Sequence, residues 1–107
     1  MMQEITKREY ESLGGIHHMY GGISPTTETA WFKQDDLLGI VLLDRIDNDW
    51  SYVTLAKHPD RGWKYRCMDV KTSMPSFDAA KAALAASMRK YSSPWQRWLD
   101  SLQPDPE

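Results

Sequence analysis

Between residues 30 and 71 the chain alternates apolar runs with very short turn clusters, and this spacing constrains the fold more than any other feature. Residues 30–34 read as a strand, Asp35-Asp36 as a two-residue turn and 37–46 as a long second strand. Asp47-Asn48-Asp49 is a tight loop of residues that accept left-handed or Asx-turn geometry, and 50–57 is a third strand. His58-Pro59-Asp60-Arg61-Gly62 makes the next loop and 63–71 the fourth strand. Connections this short cannot carry the crossover that parallel neighbours need, so the four strands form an antiparallel meander.

The turns also set a register. A two-residue turn at Asp35-Asp36 places Ala30 opposite Val41 and Phe32 opposite Gly39. A three-residue loop at 47–49 places Ile46 opposite Trp50, Leu43 opposite Val53 and Val41 opposite Leu55. One face then collects Ala30, Phe32, Val41, Leu43, Val53 and Leu55, the face expected to receive a helix. The other collects Trp31, Ile40, Leu42, Ile46, Trp50, Tyr52 and Thr54, which is not polar either. A sheet face that apolar needs a cover. The candidates are Tyr10 and Leu13, a C-terminal segment with Trp95, Trp98 and Leu99, a second copy or another protein.

The flanking segments are helical. Thr6 and Glu9 have capping-box spacing and Gly14-Gly15 is a stop, giving a short helix over 7–13. The stretch 14–29 has four glycines, a proline and no periodicity, and reads as a long loop. Ser76 caps a helix over 77–91, with Phe77, Ala80, Leu84, Met88 and Tyr91 on one side and Asp78 in its first turn. Ser92-Ser93-Pro94 ends it, and 94–102 reads as a further short helix. The expected fold is α+β: a four-stranded antiparallel meander sheet, a long helix after it, and short N- and C-terminal helices. At 107 residues this is a single domain with one core.

The formal charge of −2, with acids and bases interspersed, lacks the basic field that non-specific nucleic-acid or membrane binding uses. A single cysteine, Cys67, excludes an internal disulfide and fits a reducing compartment. The polar start and the absence of a long apolar run point to a cytoplasmic protein with no membrane span.

No residue pattern points to catalysis, a metal or a cofactor. His17 and His18 diverge on any regular backbone, and no second cysteine completes a zinc set. In the hairpin that joins the third and fourth strands His58 and Cys67 are on the order of 13 Å apart at ~3.3 Å per residue, too far for a nucleophile pair. Most of the aspartates occupy turns; Asp44 and Asp69 interrupt strands, which suits ion-paired or solvent-facing positions. No phosphate loop, nucleotide fingerprint or nucleophile elbow occurs.

What stands out is aromatic content: five Trp and five Tyr against two Phe, a balance suited to interfaces. The candidate partner-binding residues are Trp31, Trp50, Tyr52, Trp63, Tyr65 and Arg66. The run Trp63-Lys64-Tyr65-Arg66 interleaves rings with bases, the signal that a nucleic-acid surface would give.

Several segments carry a resemblance. They are Tyr10-Glu11 with Leu13-Gly14-Gly15, the run from Leu38 to Arg45, Asp49-Trp50, Tyr52-Val53, Arg66, Asp69-Val70 and Ser73-Met74-Pro75-Ser76. Together they resemble an uncharacterised family of short accessory proteins of proteobacteria, their phages and plasmids. The resemblance implies a mobile-element origin and action by binding a host protein, including a defence nuclease. No catalytic residues come with it. The expected function is therefore a non-enzymatic protein–protein interaction module, an inhibitor or adaptor whose partner is a host protein or a second copy. The alternative is a small nucleic-acid-binding regulator.

Overall fold

A computed structural model of the chain describes residues 2–15, 29–44, 48–58 and 64–93. They form β1 (Gln3–Ile5), α1 (Lys7–Ser12), β2 (Thr29–Gln34), β3 (Leu37–Asp44), β4 (Asp49–His58), β5 (Lys64–Met74) and α2 (Phe77–Tyr91). Among the described residues the five strands make one antiparallel sheet in chain order. The α+β meander expected from the turns is present, with one strand more than the sequence suggested. The extra strand is β1, whose Ile5 lies opposite Trp31 and Glu4 opposite Phe32. Three residues are too few for a period-2 pattern to register in a charged stretch. The expected 94–102 helix lies outside the described residues, as does most of the 14–29 loop.

Both helices begin and end as their caps dictate. Thr6 Oγ1 accepts the Glu9 N–H at 3.1 Å, which fixes the start of α1. At its end Gly15 N–H reaches the Tyr10 carbonyl and Gly14 N–H the Glu11 carbonyl, both at 3.0 Å. This is the Schellman arrangement, and it requires the positive φ of 94° that Gly14 adopts. Ser76 Oγ accepts the Ala79 N–H at 3.0 Å and starts α2 at Phe77.

The two apolar faces are now clear. Beneath α2 lie Ala30, Phe32, Leu37, Val41, Tyr52, Ala56 and Met68, packed with Ala80, Leu84, Met88 and Tyr91. On the other face Leu38, Ile40, Leu42, Val53 and Leu55 cluster with Tyr10 of α1. Ile5, Leu13, Trp31, Tyr65, Cys67 and Val70 are partly buried around them. The N-terminal helix is thus part of the second cover; the C-terminal residues proposed for that role lie outside the described residues.

The β2–β3 register is the one the Asp35-Asp36 turn implied, with Ala30 opposite Val41 and Phe32 opposite Gly39. The β3–β4 register is not. Leu43 faces Trp50, Val41 faces Tyr52 and Ile40 faces Val53. The connection is longer than a three-residue loop, because regular pairing stops at Asp44 opposite Asp49. An odd shift exchanges the faces of a whole strand. Val53 and Leu55 therefore lie away from α2, while Trp50, Tyr52, Thr54 and Ala56 lie on its side. β3 is apolar on both faces, so its own pattern could not choose between the registers.

The close approach of α2 follows from this choice. A Cβ on Gly39 would come within 2.7 Å of Leu84 Cδ1 and Met88 Cε, so the bare backbone makes room for the helix. The strands at the two ends of the sheet order discourage strand addition in different ways. β1 is very short, and β5 has register shifts between Trp50 and Tyr52 and between Thr54 and Leu55.

Candidate interaction surface

The six aromatic and basic candidates do not share one surface. Trp31 and Tyr65 are half-buried on the α1 side, two strands apart from one another across β3 and β4. Tyr52 is only 6 % exposed and belongs to the core under α2, so it is not displayed. Arg66 is half-buried opposite Ala56, which places it on the α2 side. Trp63 lies outside the described residues. Trp31, Trp50 and Tyr52, expected together on one face, are divided between the two sides of the sheet because the odd register shift exchanges the faces of β4.

Trp50 has a different environment from the rest. It is half-buried, faces Met74 across the β4–β5 ladder, and meets Phe77 edge-on with ring centroids 5.3 Å apart. Met74 and Phe77 are themselves half-buried against the α2-side core, and Pro75 between them is exposed. Four elements of sequence contribute: the start of β4, the end of β5, the start of α2 and the two-residue connection between the last two. The result is an aromatic and thioether patch at one end of the sheet. Trp, Phe and Met are the residue types that anchor protein interfaces. Asp49 and Asp78 flank it in sequence, and Lys71 stands exposed further along β5.

At the opposite end of β4, Lys57 pairs with Tyr65 and His58 with Lys64. Lys57 Nζ lies 5.6 Å from the Tyr65 ring centroid, a cation–π distance. Lys57 and Lys64 are exposed, and Arg66 follows on β5. Seven residues of β4 separate this basic end from Trp50, about 23 Å at ~3.3 Å per residue.

Between the two ends runs a partly buried polar network that the sequence did not announce. Asp69 Oδ2 accepts the Tyr52 phenol at 2.8 Å and the Ser87 hydroxyl at 2.7 Å. Ser87 Oγ lies 2.8 Å from Thr54 Oγ1. The Ser87 proton is already given to Asp69, so Thr54 is the donor in that pair. Burial pushes the Tyr52 phenol well above its ordinary range, and the Asp69 hydrogen bond and charge add to this; the Ser87 hydroxyl pulls weakly the other way. Asp69 interrupts its strand because it serves this network. The missed signal was Ser87: it falls on the same side of the helix as Leu84, Met88 and Tyr91, where a hydroxyl needs a buried partner.

The network's hydroxyls point at one another and at the carboxylate, which makes them structural ties. Cys67 lies opposite Leu55 rather than His58. Among the described residues no group of three or more His, Cys, Asp or Glu side chains is arranged to hold a metal ion. Among them also, no helix is long and apolar enough to cross a membrane. Comparison with protein-family models, curated proteins and solved structures finds no match.

Proposed function

We propose that this chain is a non-enzymatic interaction module that docks a host protein through Trp50, Met74 and Phe77. One observation carries the reading. Both sheet faces are occupied by packing, yet a Trp–Phe–Met cluster with an exposed proline stays half-open at the sheet's end. The resemblance to accessory proteins of proteobacteria, phages and plasmids agrees with a blocking or adaptor role and a cytoplasmic setting. A second reading, nucleic-acid binding, draws on Lys57 against the Tyr65 ring and on Lys64 and Arg66 at the same end of β5. The overall charge of −2 weighs against it.

The two readings use opposite ends of β4 and separate by mutation. A tagged copy expressed in a proteobacterial host should co-purify a protein in defined stoichiometry. Trp50→Ala should abolish that co-purification while the far-ultraviolet circular dichroism stays unchanged. Lys57→Glu with Lys64→Glu should leave it intact. Retention by the Trp50 variant would overturn docking through this patch, and salt-sensitive oligonucleotide binding that the lysine variant alone removes would replace the first reading with the second.

A further inference from the structure

The segment that builds the patch is tied down at a distance from it. Met74 and Phe77 flank the short Pro75-Ser76 connection between β5 and α2. On either side of that connection Asp69 and Ser87 meet through a 2.7 Å hydrogen bond between residues 18 apart in sequence. This bond closes the β5–α2 segment into a loop whose far end is the patch. Tyr52 and Thr54 then fasten the closed loop to β4, the strand that carries Trp50.

The backbone pairing of Met74 with Trp50 is set off from the rest of the β4–β5 ladder. The β4–β5 register shifts between Trp50 and Tyr52, and Ser73 takes a positive φ of 62° there. A second shift lies just before Asp69. The regular ladder from Asp69 to Lys71 is thus a short run between two bulges, and Asp69 is the residue in it that is tied to α2. Edge-on aromatic contact accepts a range of geometries, whereas short hydrogen bonds to a carboxylate accept a narrow one. We infer that Asp69 and Ser87 are positioning residues for the docking patch, setting where Met74 and Phe77 lie against Trp50. The inference rests on the proposed function for its biological meaning, but its test needs no partner.

The full chain labelled with fluorotryptophan reports each indole by fluorine NMR, with Trp50 and Trp31 assigned through Trp50→Phe and Trp31→Phe. Ser87→Ala should shift or broaden the Trp50 resonance and speed amide exchange at 70–77 about tenfold or more. Trp31 and the β2–β3 amides should stay as they are, and Ser87→Thr, which keeps the hydroxyl, should restore the wild-type Trp50 signal. An unmoved Trp50, or equal changes at Trp31 and β2–β3, would overturn the inference. If Ser87→Ala fails to fold, Tyr52→Phe removes one of the two bonds to Asp69 and is judged by the same criteria. An unmoved Trp50 leaves co-purification through Trp50 untouched, so the two proposals fail separately.

Discussion

Tyr52 donates a phenol hydrogen bond to Asp69 inside a helix–sheet interface, and this has a consequence that can be measured in bulk. Burial and the neighbouring carboxylate disfavour the phenolate, so the folded-state pKa is raised above the unfolded value of about 10. A raised pKa means that the group's contribution to stability is whole below pH about 10 and declines as pH climbs beyond it. Chemical denaturation of the wild type should therefore show stability falling above that pH, and Tyr52→Phe should flatten part of the fall. At neutral pH the same variant should cost about 1.5–3 kcal/mol, the range for a hydrogen bond to a charged acceptor. A wild-type alkaline profile identical to that of Tyr52→Phe would show that the phenol is not held as described.

Element by element, the sequence was most informative where local chemistry decides. The caps Thr6 and Ser76 and the Gly14-Gly15 stop are local signals, and the helices start and end where those residues say. The Asp35-Asp36 turn is equally local and gave the β2–β3 register correctly. What remained illegible was decided between distant residues. The β3–β4 pairing depends on which β4 face fits under α2, and small Ala56 and hydroxylic Thr54 win that place beside the bare Gly39 of β3. Val53 and Leu55, which look like better helix partners, lie on the other face. The Asp69–Ser87 tie joins two elements, so neither residue alone reveals it. The patch was partly visible: Trp50 was a candidate, but Met74 and Phe77 join it only once β5 and α2 are in place. The packing itself is testable through Leu84, which is fully buried against Gly39. Leu84→Ala should cost about 2–5 kcal/mol by denaturant titration, and a loss below about 1 kcal/mol would place α2 elsewhere.

At the scale of the whole molecule, the sheet has an apolar cluster packed on each face and chemically different ends. One end offers Trp50, Met74 and Phe77; the other offers Lys57, Lys64 and Tyr65. Two apolar faces in so short a chain explain the abundance of large rings better than a single aromatic platform does. Four of the eight described rings, Tyr10, Phe32, Tyr52 and Tyr91, are buried in packing, and Trp50 with Phe77 is a half-buried pair at the rim. The account therefore stands or falls on which end meets another molecule. The direct measurement is site-specific photo-crosslinking in a proteobacterial host, with p-benzoylphenylalanine placed at position 77 in one variant and at position 65 in another. The account predicts a discrete covalent adduct with a host protein from position 77 and none from position 65. An adduct with protein or nucleic acid from position 65 alone, or none from either position, would contradict it.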